Sequence, residues 1–206
     1  MEIEKITPDF LTFAAKAKGY TIFEDDSKPF NLNLIGIRSP ENNPNVFNDW
    51  FISMWKFRGL WNVLKFSCTT DPGLFYLGDR MLNPRGTAVV KPGQYKGMWK
   101  KGYHKGYTAL QQKAPVTVLR DFNRDGLLNP EGGSEDTGIF GINGHRARQM
   151  SVSESVDGNS AGCIVHASDF DFQVTMEVVT QSIPNWGNSF TFTLYDQNDF
   201  RQILKF

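Results

Sequence analysis

The stretch Gly144–His166 reads GHRARQMSVSESVDGNSAGCIVH. It holds one of the chain's two cysteines, Cys163, and two of its three histidines, His145 and His166. Three readings of Cys163 are open. It is an apolar core side chain, as free cysteine commonly is, or half of a disulfide with Cys68, or a nucleophile activated by a histidine. The company it keeps, Ala161-Gly162-Cys163-Ile164-Val165, suits a core strand. On a strand, His166 stands an odd number of positions from Cys163 and projects to the opposite face. That counts weakly against His166 as the partner, but sequence alone does not make His145, at the end of the apolar segment IFGING, the better candidate.

Outward from this stretch the chain reads as mostly β. TAVV, KPGQYKGMW, YTALQQ and APVTVLRD are short strands punctuated by turn signals such as Pro92-Gly93. LFYLG and IFGING read as strands too. On the C-terminal side, FQVTMEVVTQ and SFTFTLYDQ alternate apolar and polar residues as strands do. The N-terminal region is mixed. Thr7 or Asp9 caps a short helix through FLTFAAKAKG that Gly19 ends. Val46–Phe57 has helical aromatic spacing, and Leu60–Cys68 alternates like a strand. The expectation is one domain over 1–206, with a core at about 70–195 and residues 1–69 as an N-terminal extension packed on it.

Composition narrows the function classes. With 22 basic and 22 acidic side chains the formal net charge is zero, so the basic surface of a nucleic-acid binder is missing. The nearest approach is WKKGYHKGY, residues 99–107. No apolar run reaches the roughly 20 residues of a membrane-spanning helix. The segment MEIEKITPDF is acidic and has no apolar signal core. The expectation is therefore synthesis in the cytoplasm without a cleaved signal peptide.

The segment resembles the signature of L,D-transpeptidase catalytic domains, the YkuD-like fold: a histidine, 14 to 17 residues, then Ser/Thr-His-Gly-Cys. Here His145 is followed by 14 residues and then Ser160-Ala161-Gly162-Cys163. Lys91-Pro92-Gly93-Gln94-Tyr95 is similar, with shifted spacing, to a Pro/Gly/aromatic turn of the same family. The resemblance covers roughly residues 70–180. It implies a β-sandwich in which Cys163 is the nucleophile, His145 the base, and Ser160 and Gly162 shape the catalytic turn. A backbone carbonyl near the histidine would orient it, with Ser153, Ser155 and Asp157 as side-chain alternatives. Three positions depart from the family. The motif histidine is Ala161, the glycine after the first histidine is Arg146, and a substrate-binding arginine is replaced by Val165. Arg146, Arg148 or His166 would then meet the substrate's carboxylate, with Tyr95 beside it.

The implied activity is cysteine-dependent hydrolysis or L,D-transpeptidase-like acyl transfer on peptidoglycan stem peptides, with no cofactor required. Without an export signal the setting is a phage: virion-associated, or released at lysis. The alternative is an inactive binding or structural module of a phage particle that meets other phage proteins. Separately, DFNRDGLLN places Asp121, Asn123, Asp125, Gly126 and Asn129 at positions 1, 3, 5, 6 and 9 of a calcium loop. Gly132 stands at position 12, where a bidentate Glu belongs, with Glu131, Glu135 and Asp136 nearby. A structural Ca2+ is the one metal this pattern suggests; the other reading is a solvated turn whose Asp and Asn side chains cap their own backbone.

Overall fold

The computed structural model describes residues 3–41, 43–78, 80–130 and 132–203. Glu131 lies outside the described residues. The fold is mixed α/β, dominated by a mixed sheet. The strands are β1 (Asn33–Arg38), β2 (Asp49–Phe57), β3 (Leu60–Thr69), β4 (Thr87–Val90), β5 (Gly93–His104), β6 (Tyr107–Gln112), β7 (Val116–Asp121), β8 (Glu135–Gly138), β9 (Gly144–Arg146), β10 (Ile164–His166) and β11 (Phe190–Asp196). Eight of them close into a barrel in the order β1-β11-β5-β6-β9-β10-β3-β2, and β4-β7-β8 form a second sheet. β1–β3 run between β10 and β11 in the ring. The stretch 33–69 is thus woven into the barrel, where an extension laid against it was expected.

Alternation divides β1, β2 and β11 between two cores. Leu34, Phe51, Phe192 and Leu194 join Trp99, Leu110 and Ile164 in one. Ile35, Ile37, Ile52, Met54 and Tyr195 form the other, under helix α1 (Pro8–Ala17), which contributes Leu11 and Ala14. Burying both faces hides the period-2 signal of a strand. That is why Val46–Phe57 reads as helical although residues 49–57 are β2. The overlooked cue is Arg58-Gly59. Both have positive φ (51° and 79°), as a two-residue type I′ hairpin requires, and β2 pairs β3 from Asp49↔Cys68 to Phe57↔Leu60. Lys105-Gly106 (45° and 89°) makes the matching turn between β5 and β6.

Two further segments differ from the strand expectation. FQVTMEVVTQ lies in helix α3 (Asp169–Trp186). Phe172, Thr175, Met176 and Val179 are among its buried residues and make an i, i+3, i+4, i+7 face. Ser168 caps it by accepting the Asp171 N–H at 3.2 Å. LFYLG forms the single-turn helix α2 (Leu74–Leu77). A last helix, α4 (Gln197–Ile203), follows β11. The helix at the N-terminus has the expected cap: Thr7 Oγ1 accepts the Phe10 N–H at 3.2 Å.

IFGING is not a strand before Gly144, and Gln112 supplies the reason. Its Oε1 accepts the N–H groups of Phe140 (3.0 Å) and Ile142 (2.7 Å), while its Nε2 donates to the carbonyls of Ala114 and Gly138. One amide side chain substitutes for a strand partner and satisfies a bent backbone. The strand content of the glycine-rich loop after β7 is β8, which pairs β7 from Val116↔Gly138 to Leu119↔Glu135.

Candidate functional site

At the seam between the two sheets lies a cleft of about 450 Å³. Its walls come from β4 (Thr87, Ala88), β7 (Arg120), the β5–β6 turn (His104, Lys105), the Gln112-held segment (Phe140, Gly141), and His145 and Cys163. β9 and β10 are parallel neighbours, with Val165 opposite His145. Cys163, two positions before Val165, shares that face. Two residues 18 positions apart therefore open into one cleft. His166 points the other way, as the alternation argument requires. It is fully buried, its ring centroid 4.5 Å from that of Phe51 and 5.5 Å from that of Phe172, and its Nε2 pairs with Thr175 Oγ1 at 3.1 Å.

The turn before Cys163 is braced by the two motif residues. Ser160, fully buried, donates from Oγ to the Cys163 carbonyl (2.9 Å) and accepts the Gly162 N–H (3.1 Å). Gly162 has φ +117°, and a Cβ there would lie 2.4 Å from the Ala88 carbonyl oxygen. Only glycine meets both conditions. Both cysteines are free thiols. Cys68 stands opposite His166 in the β3–β10 pairing, in the barrel core, so the disulfide reading falls away.

His145 is buried, and its Nδ1 lies 2.7 Å from the Arg146 carbonyl oxygen. A carbonyl can only accept, so Nδ1 carries the proton and Nε2 keeps the lone pair. This backbone carbonyl holds the imidazole; Ser155 instead donates to Asp157, which bonds to Asn45, and the buried Ser153 hydroxyl has no partner. Burial, then the neighbouring His104, pushes the His145 pKa down to about 3. Burial pushes the Cys163 thiol up, against smaller opposing effects of a hydrogen bond to the Asn143 backbone and of Lys105. The thiol donates to the Gly141 carbonyl at 3.4 Å. Electrostatics thus favour a neutral thiol and a neutral imidazole in this cleft over a thiolate and an imidazolium.

Three contributors were not singled out from sequence. His104 stacks on His145, centroids 4.1 Å apart and planes 9° from parallel. Asn143 Nδ2 donates to His104 Nδ1 at 3.0 Å, and Asn143 Oδ1 accepts the Gln112 N–H. Lys105 projects from the hairpin tip at the cleft. The cue for His104 was its place beside a Lys-Gly hairpin turn in WKKGYHKGY.

Comparison with protein-family models, curated proteins and solved structures finds no match to this chain. The other expected site residues fall outside the cleft. Arg146 is paired with Asp169 (3.1 Å) and lies 4.1 Å over the Tyr107 ring. Arg148 is exposed and absent from the cleft lining. Tyr95 donates its hydroxyl to backbone carbonyls of Lys91 and Thr117. Asp121, Asn123, Asp125 and Asn129 converge on one another in the β7–β8 connection. Among the described residues, no helix is long and apolar enough to cross a membrane.

Proposed function

We propose that the protein is a cysteine-dependent acyl-transfer enzyme, divergent from L,D-transpeptidases and their β-sandwich domains, that hydrolyses or transpeptidates peptidoglycan stem peptides. The observation that carries this reading is the opening of Cys163 and His145 into one cleft from adjacent parallel strands, with His145 in the tautomer that leaves Nε2 free to accept a proton. In the proposed reaction the thiol proton passes to Nε2 of His145 as sulfur attacks a peptide carbonyl carbon. A C–S bond forms, the C–N bond breaks, and the departing amine takes the proton from His145. Water or an acceptor amine then attacks the thioester and gives a proton to His145, which returns it to the leaving sulfur. Gly162 N–H is committed to Ser160, so the oxyanion falls to the Cys163 N–H.

With both groups neutral, proton transfer is uphill without substrate, and the proposed reaction requires bound substrate to drive it. Lys105, exposed and without an ion-pair partner among the described residues, is the cation placed to meet a substrate carboxylate. Arg146 is occupied by Asp169 and His166 by the core. The proposed setting is a phage, with delivery in the virion or at lysis.

A second reading, an inactive module that binds peptidoglycan or another phage protein, draws on the Cys163 thiol being spent on the Gly141 carbonyl. The test is incubation with purified disaccharide tetra- and pentapeptides, read by mass spectrometry. The enzyme reading expects shortened or exchanged stem peptides and an acyl adduct on Cys163, both lost in C163A and H145A. Unchanged muropeptides, or the same products from C163A, would favour the inactive module.

A further inference from the structure

The loop 121–129 takes no part in the chemistry proposed above. Asp121 ends β7 with only 1% of its surface exposed. Its Oδ2 accepts the Asn129 N–H at 2.8 Å, which turns the carboxylate into the loop. Its Oδ1 has no hydrogen-bond partner. A buried carboxylate oxygen facing no donor is costly, and a missing ligand is one of the ordinary explanations. Around it, Asn123 Nδ2 lies 2.9 Å from Asp125 Oδ2 and 2.8 Å from Asn129 Oδ1. Asn129 Nδ2 lies 2.8 Å from the same Asp125 oxygen. Amide N–H groups hold the Asp125 carboxylate where a cation would.

We propose that residues 121–129 form a Ca2+ site, with side-chain oxygens from Asp121, Asn123, Asp125 and Asn129 and the main-chain carbonyl of Leu127. A half-turn of an Asn amide exchanges nitrogen for oxygen without moving the chain. Two carboxylates match the cation's charge, and the donors are all oxygen, as a hard cation demands. Among the described residues no group of three or more His, Cys, Asp or Glu is placed to hold a metal; this set relies instead on amide and main-chain oxygens. Glu135 is paired with Lys91, and Asp136 with Arg85 and Arg120, so neither completes the shell. The affinity therefore falls in the weaker range, a Kd of roughly 10⁻⁵–10⁻³ M. Bound Ca2+ would brace Leu128, which packs on Leu77 and Val89, next to Tyr76 and Ala88 in the cleft wall.

The experiment is calorimetric titration of the full, EDTA-treated chain with CaCl2, alongside thermal melts in CaCl2 or MgCl2 at about 10 mM, well above that Kd range. Asp125 is exposed, so D125N keeps the fold, which its melt without calcium verifies; D121N is the second variant. One site per chain, a Ca2+-specific rise in Tm, and at least tenfold weaker binding in D125N are expected. Absence of binding, an equal response to Mg2+, or unaltered Ca2+ binding by D125N would overturn the proposal. None of these results depends on the enzyme activity.

Discussion

Replacing His166 with Phe isolates one buried proton site. His166 has a pKa pushed down to about 3, chiefly by burial. Its Nδ1 is buried without a partner. Unfolded, the ring takes a proton below about 6.5; folded, it stays neutral until about 3. As pH falls through that window the unfolded state alone binds the proton, and stability is lost at about 1.4 kcal/mol per pH unit. From pH 6.5 to 4.5 the loss integrates to roughly 2.3 kcal/mol. His145, also near 3, adds a similar slope. Asp49 opposes it: burial first, then Asp71, raises its carboxyl to about 7, so the native state gains that proton, and stability, as pH falls. The wild-type curve is a sum, and only the difference between proteins isolates one group. Phe fits the nest of Phe51, Phe66 and Phe172, and Thr175 keeps its bond to the Asp171 carbonyl. H166F should match wild type within about 1 kcal/mol at pH 7 and exceed it by roughly 2–3 kcal/mol more at pH 4.5. Urea unfolding at four pH values measures the difference. A pH-independent difference would refute the assignment of His166 as a neutral core group.

Three other perturbations test the site's scaffold. Gly162→Ala sets a Cβ against the Ala88 carbonyl at a strained φ and should cost about 2–4 kcal/mol in thermal or urea unfolding; a loss under 1 kcal/mol would mean the turn relaxes freely. Gln112→Ala strands the Phe140 and Ile142 N–H groups and should cost about 2–4 kcal/mol, with faster amide exchange confined to residues 138–143 as the signature. Iodoacetamide labelling of Cys163, followed by mass spectrometry from pH 6 to 10.5, should rise with an inflection above the ordinary thiol value, because burial raises it. Cys68, fully buried and raised well above that value, should stay unlabelled in the native protein; a Cys163 inflection below about 8 would contradict the neutral pair.

How much of this was legible depends on where the information sits. APVTVLRD showed its alternation, with Val116 and Val118 buried and Thr117 and Leu119 partly exposed between and beside them. β2 did not, because both its faces are buried, and the turn at Arg58-Gly59 was the stronger cue. In FQVTMEVVTQ the apolar residues satisfy both periods: Phe172, Val174, Met176 and Val178 alternate, while Phe172, Met176 and Val179 lie on one helical face. Ser168 and Asp171, at capping separation, decide for the helix. The Gln112 clamp was invisible, since nothing in a sequence shows that one amide will close three hydrogen bonds to a segment 26 to 30 positions away.

Cys163 and His145 were legible as candidates, and they line one cleft; the environment around them was not legible. The resemblance pointed to His145, and strand parity set His166 on the face opposite Cys163, because parity is a property of the backbone alone. The protonation state is not. It follows from how deeply the seam between the sheets buries both groups, and from His104 lying flat on His145, a contact made by a hairpin 41 positions upstream. A second imidazole there disfavours positive charge on the first, as the lowered His145 pKa reflects. In the proposed reaction a substrate carboxylate drawn in by Lys105 would bring negative charge to the cleft. That charge favours imidazolium and makes proton transfer from Cys163 easier only when substrate is present. The same neutral pair that argues against a reactive resting thiol is therefore what a substrate-gated nucleophile requires.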